Sequence, residues 1–139
     1  MTELLVGDKR IGVKWIYKIK LNEFGKVDKF KTRLVAKGYA QQHGMNSTKV
    51  FALVARMYTV HMIIALAAQR SWPIYQLNVK STFLHGELSE DVFMKQPRGY
   101  EQKEGEHKVY KLHKALYGLK QAPRVWVSCI EAHFTHEGF

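Results

Sequence analysis

Alternation of apolar and cationic residues dominates the first third of the chain. In "VKWIYKIKL" (13–21), Val13, Trp15, Tyr17, Ile19 and Leu21 fall in one phase and Lys14, Lys18 and Lys20 in the other. Period two predicts a strand with unlike faces. "NEFG" (22–25) supplies turn residues. In the next run, "KVDKFKTRLVAKGYA", Phe30, Thr32, Leu34 and Ala36 share a phase, and Lys29, Lys31, Arg33 and Lys37 lie opposite. The pair reads as a β-hairpin with one apolar and one strongly cationic face. "QQHGMNSTK" (41–49) is loop-like, and "RMYTVHMIIALAAQRSW" (56–72) predicts a helix. Thr59 is its candidate N-cap and Pro73 its stop. The segment is apolar nearly all round, which predicts a buried core helix.

Downstream the elements are shorter. Ile74 to Val79 reads as a strand that carries an amide, Asn78, near its end. "STFLHG" (81–86) predicts a tight turn or a single helical turn, and "DVFMKQ" (91–96) a second short strand. Glu90-Asp91, the adjacent acidic pair, is expected in a solvated turn. "PRGYEQKEGE" is a polar loop, and "HKVYKLHKALYG" is mostly extended. "APRVWVSCIEAHFTHEGF" predicts a final helix with Pro123 in its first turn. Trp126, Ile130 and Phe134 recur at i, i+4, i+8 as a packing face. Strands and helices mix without a regular βαβ alternation, which predicts an α+β fold in one domain.

Composition changes the picture in one respect. The chain of 139 residues carries a net charge of +10. Residues 1–56 hold 12 Lys+Arg against 4 Asp+Glu, and the remainder is nearly balanced. A basic field of this kind attracts polyanions, nucleic acid first; a solvated, edge-protecting lysine surface is the plainer account. The longest apolar stretch, "MIIALAA", is too short to cross a bilayer, and "MTELLVGDKR" lacks the basic-then-apolar order of a signal peptide. The single Cys129 has no disulfide partner and fits a reducing compartment. An intracellular location, cytoplasmic or nuclear, is expected, without secretion. His133 and His136 are three apart on a helix but lack a third ligand, so a surface pair is expected rather than a metal site.

Four blocks resemble one family. "GVKWIYKIKLNEFGKVDKFKTRLVAKGYAQQHG", "QLNVKSTFLHGEL", "VFMKQPRGY" and "KALYGLKQAPRVW" are similar to the reverse transcriptase of copia-type LTR retrotransposons, a part of the Pol polyprotein. The resemblance covers about residues 7–139 and implies partial fingers and palm: a β-hairpin, a short antiparallel sheet and packed helices. It also implies an RNA or DNA template-primer as partner. Intact members join a primer hydroxyl to a nucleotide α-phosphate with magnesium ions, which need anionic oxygen ligands. The family's first palm motif ends in an Asp that contacts those metals, and here the position is Asn78, whose amide brings no charge. The backbone carbonyl of Val79 is a ligand in the family. The aromatic-x-Asp-Asp hairpin of the second motif is absent, and the three aspartates, Asp8, Asp28 and Asp91, have no Asp neighbour.

The resemblance carries further residues. Phe83 matches the aromatic under the nucleotide sugar, with a core phenylalanine as its alternative role. Arg33 and Lys37 match basic fingers residues near the triphosphate. Tyr117 through Pro123 match the block beside template base and nucleotide, in which Gly118 permits close backbone approach and Lys120 reaches a phosphate. Departures from the family pattern are Leu53 in place of a Pro, His61 in place of a basic residue, and "KST" (80–82) in place of an Asn-Ala pair. The expectation is a degenerate polymerase fragment, inactive alone, with no intact catalytic residue, no metal site and no cofactor of its own. The alternatives are a non-enzymatic basic nucleic-acid-binding module or a non-functional pseudogene product.

Overall fold

The computed structural model describes residues 2, 9–42, 44, 50, 52, 55–103, 105 and 107–138. The main elements run β1 (Arg10–Ile11), β2 (Val13–Leu21), β3 (Val27–Ala36), α1 (Met57–Gln69), β4 (Glu87–Met94), β5 (Tyr110–Lys114) and α2 (Ala122–His136). A 3-10 turn, Thr82–His85, precedes β4, as the single helical turn read from the sequence requires.

The hairpin forms as the alternation predicts. Lys18 stands opposite Lys31, Lys20 opposite Lys29 and Ile16 opposite Arg33. Residues directly opposite in an antiparallel pair share a face, so the cations of both strands gather on one side. The turn closes because Asn22 Oδ1 accepts the backbone N–H groups of Phe24 and Lys26, each at 3.0 Å. A bulge lies at Lys20/Leu21.

The second sheet has the order β1-β4-β5. β4 and β5 are antiparallel, and β1 pairs parallel to β4, so this sheet is mixed rather than antiparallel throughout. The core lies where β1, the foot of β3, β4, the 115–119 segment and the first turn of α2 meet. It comprises Ile11, Ala36, Val92, Ala115, Leu119, Ala122 and Val125, with Phe83, Leu88, Leu112 and Leu116 packed against it.

Four expectations are corrected. The apolar helix exists, but it is not buried: Ala67 is its one buried residue. A helix apolar on every side needs partners on every side, and the rest of the described chain supplies none of that size. It starts at Met57 behind Arg56, not behind Thr59, and it ends at Gln69, ahead of Ser71 at φ +53°. Residues 74–79 form no strand, because they pair with neither sheet. Glu90 and Asp91 lie inside β4, not in a turn: Glu90 is paired with Arg124 of α2 at 2.9 Å and Asp91 with Lys111 of β5 at 2.7 Å. The loop reading over 43 and 45–49, and the Leu53 position, lie outside the described residues. No described helix is long and apolar enough to cross a membrane.

Candidate functional site

The hairpin is fixed to the body at its foot by the 117–121 segment. The Ala36 N–H donates to the Tyr117 carbonyl at 2.8 Å, and Lys37 N–H to the Gly12 carbonyl at 2.8 Å. Gly118 has φ +90°, and a Cβ there would run into the Ala36 carbonyl oxygen and lie 2.7 Å from Cγ1 of Val35. A Cβ on Gly38 would in turn meet the Gly118 carbonyl. Two backbones therefore touch where only glycine fits. Beside this contact, buried Gln41 donates from Nε2 to Oε1 of buried Gln121 at 2.9 Å. Gln41 Oε1 accepts the Lys120 N–H at 2.8 Å.

This docking sets β3 against the segment that follows α1. Between them opens a cavity of about 580 Å³, lined by Lys31, Arg33, Asn78, Val79, Lys80 and Tyr117 among others. The Arg33 guanidinium lies over the Tyr117 ring, 5.7 Å from its centroid. That contact orients the cation at the rim. Ser81, on the same wall, holds φ +57°, a left-handed conformation uncommon outside glycine. The Val79 carbonyl accepts the Thr82 hydroxyl at 2.8 Å, and the Lys80 carbonyl contacts His85 Nε2 at 3.0 Å. The turn after Asn78 is thus held by its own side chains.

Of the residues named from the sequence, Arg33, Asn78, Val79 and Tyr117 line this one cavity. Phe83 does not: it is half-buried against the core and meets the Tyr117 ring edge-on at 5.2 Å. Gly118 serves the hairpin contact. Lys120 donates from Nζ to the Gln41 carbonyl at 3.1 Å, and Lys37 stays at the hairpin foot. Lys31 was legible only as part of the cationic phase, and Lys80 only as a departure from the family pattern; both line the cavity.

The cationic face carries an electrostatic cost. The Lys31 amine is held below the ordinary lysine value, chiefly by the neighbouring Arg33 guanidinium, then by lost hydration and by Lys20, Lys29 and Lys18. A second groove, about 680 Å³, opens on the other side of Asn78. The Trp126, Ile130 and Phe134 stripe of α2 lines it with Leu77 and Val79. The stripe therefore faces an open groove rather than a closed core.

Neither cavity suits a pair of hard divalent cations. No Asp or Glu lines either one, and such ions take anionic oxygen ligands. Among the described residues, no group of three His, Cys, Asp or Glu could hold a metal ion.

Comparison with known proteins adds the following. The family described as "Reverse transcriptase (RNA-dependent DNA polymerase)" matches residues 1–139. The chain is 43% identical over 129 residues to the retrovirus-related Pol polyprotein from transposon RE1 of Arabidopsis thaliana, covering 93% of this chain and 9% of that protein. It is 42% identical over 126 residues to the corresponding polyprotein from transposon TNT 1-94 of Nicotiana tabacum, covering 91% and 10%. A truncated Ty1-A Gag-Pol polyprotein of Saccharomyces cerevisiae is 27% identical over 103 residues, covering 74% and 8%. The chain thus spans about a tenth of the plant relatives' length. No solved structure matches.

Proposed function

This chain belongs to the reverse transcriptase (RNA-dependent DNA polymerase) family, as a domain of the copia-type retrotransposon Pol kind, and we propose that it retains that family's grip on nucleic acid without its chemistry. On this reading residues 7–139 are fingers and part of the palm. The cationic hairpin face holds template-primer phosphates, and Arg33, with Lys31 and Lys80 beside it, faces the phosphates of an incoming nucleotide.

One observation carries the proposal. The cavity that brings Arg33, Val79 and Tyr117 together has an amide, Asn78, and no carboxylate lines it; the resemblance would put an aspartate at residue 78. A phosphoryl-transfer site without anionic ligands has nothing to hold the metals that would activate the attacking hydroxyl. Binding and orienting phosphates is what remains to this chain's own residues. The guanidinium forks toward phosphate oxygens, the ammonium groups supply point charges, and the Tyr117 ring presents an apolar face.

Primer extension on an RNA template with magnesium tests the first half. Neither the wild-type chain nor Asn78→Asp should add templated nucleotides, since one carboxylate does not make a set. Templated addition by the wild-type chain overturns the reading. Fluorescence anisotropy with a labelled template-primer tests the second half: saturable binding at low salt is expected, and its absence leaves the chain without the proposed function.

A basic nucleic-acid-binding module that takes no nucleotide is the second reading, and the register of the hairpin favours it. Lys18 faces Lys31 and Lys20 faces Lys29, pairs that repel one another unless an anion sits across them.

A further inference from the structure

The outer half of the hairpin has a second face that nothing among the described residues covers. Val13 and Trp15, at the foot, are half-buried; the Trp15 indole N–H donates to the Arg98 carbonyl at 3.1 Å, and its ring lies 5.7 Å from that of Tyr100. Beyond them the face is open. Tyr17 and Phe30 are 73% and 76% exposed, and Ile19, Leu21 and Val27 are each more than half exposed. No charge falls in this phase between Tyr17 and Leu21 or between Phe30 and Leu34.

We propose that this face is the contact between two copies of the chain, packed hairpin to hairpin about a twofold axis. The five residues expose roughly 550–700 Å² per copy, taking about 150–250 Å² for each whole aromatic side chain. Standard interfaces begin at about 600 Å² per partner, so the pair is expected to be weak and reversible. The face is self-complementary because stacked sheets sit about 10 Å apart with interdigitated side chains. An isologous contact also closes after two copies. The exposed apolar residues of α1, such as Met57, Met62, Ile63 and Leu66, are spread round a cylinder and offer no comparable flat surface. Pairing leaves both cationic faces outward, so the dimer presents two polyanion-binding surfaces. Salt then acts oppositely on the two functions: it screens repulsion between the copies and strengthens the dimer, while it weakens the grip on phosphates.

Sedimentation velocity of the whole chain across a concentration series, at low and high salt, tests the proposal. A reversible monomer–dimer equilibrium that tightens with salt is expected. Phe30→Lys and Ile19→Lys should each weaken it at least about tenfold, and Met62→Lys on α1 should leave it unchanged. A spin label at Lys20→Cys, with Cys129→Ser, sits on the opposite, cationic face, keeps the apolar face intact and should show a label-to-label distance of about 20–40 Å across the two stacked sheets. A monomer at every concentration overturns the proposal. So does open-ended association, association sensitive to Met62→Lys and not to the hairpin variants, or no dipolar coupling between labels.

Discussion

Replacing Gly118 with alanine should loosen the hairpin from the body far more than a backbone argument alone allows. Gly25 supplies the control. Both glycines sit at positive φ, +90° and +72°. A Cβ on Gly25 meets nothing within 4 Å, whereas one on Gly118 collides with the Ala36 carbonyl and crowds Val35. Left-handed alanine costs about 1–2 kcal/mol at either position. At Gly118 the overpacking adds about 1–3 kcal/mol. Displacing Tyr117 also strands the Ala36 N–H, which now donates to the Tyr117 carbonyl at 2.8 Å, at about 1–3 kcal/mol for a buried donor. Gly118→Ala should therefore lose about 3–8 kcal/mol and Gly25→Ala about 1–2. With a urea slope of about 2 kcal/mol/M, the midpoint falls by about 1.5–4 M in the first case and by no more than about 1 M in the second. Trp15, at the hairpin foot, reports the transition by fluorescence. Equal midpoint shifts for the two variants would refute the claim that a backbone-to-backbone contact anchors the hairpin.

Glu90→Gln should cost about 1–3 kcal/mol in urea denaturation, because it strips the carboxylate from Arg124 at a site where the two side chains are only 10% and 25% exposed; a change under about 0.5 kcal/mol contradicts this. Binding of single-stranded nucleic acid should fall with salt at a log–log slope of about −4 if all six face cations, Lys14, Lys18, Lys20, Lys29, Lys31 and Arg33, meet phosphates. Lys31→Gln should lower that slope by about 1, and a slope near zero is inconsistent with phosphate contacts. Lys31 also gives a pH signature. Its folded-state value lies below 10.5, so between that value and 10.5 the unfolded chain binds more protons and stability rises with pH. Below the folded value the penalty is fully present. Wild-type melting temperatures should rise toward pH 10 more steeply than those of Lys31→Gln, and parallel curves would exclude the effect.

The hairpin was fully legible because its signal is local: alternation fixes the faces, and Asn22 with Gly25 fixes the turn. The final helix was legible for the same reason, with Pro123 at its start. What escaped depends on partners. The composition of 56–72 specifies a helix but not what covers it, and an all-apolar helix reads as buried whether or not its neighbours lie within the same chain. Residues 74–79 have strand composition, yet a strand exists only by pairing, and neither sheet edge reaches them. β1 is two residues long, too short for any periodicity, and its parallel pairing with β4 is set by the core around Ile11. At the site, the sequence placed Arg33, Asn78, Val79 and Tyr117 together through resemblance alone, since 84 positions separate the first from the last. Phe83 and Lys120 show the limit of that transfer. Their neighbours in this chain, the Tyr117 ring and the Gln41 carbonyl, already occupy the groups that the resemblance would direct toward a nucleotide.

On the proposed reading, chemistry and fold are separable because they rest on different residues. Asn78 is exposed and contributes nothing to the core, so an amide at this position leaves the hairpin, the Gly118 contact and the cationic face intact. The cations have the opposite status: they repel one another across β2 and β3, and the isolated hairpin would be more stable without them. A carboxylate placed at residue 78 would not by itself make a metal site. The new charge would line the same cavity as Arg33, Lys31 and Lys80, and a lone anion among three cations pairs with them before it binds a divalent ion. Asn78→Asp should therefore tighten the site electrostatically and weaken its hold on phosphate, without gaining magnesium.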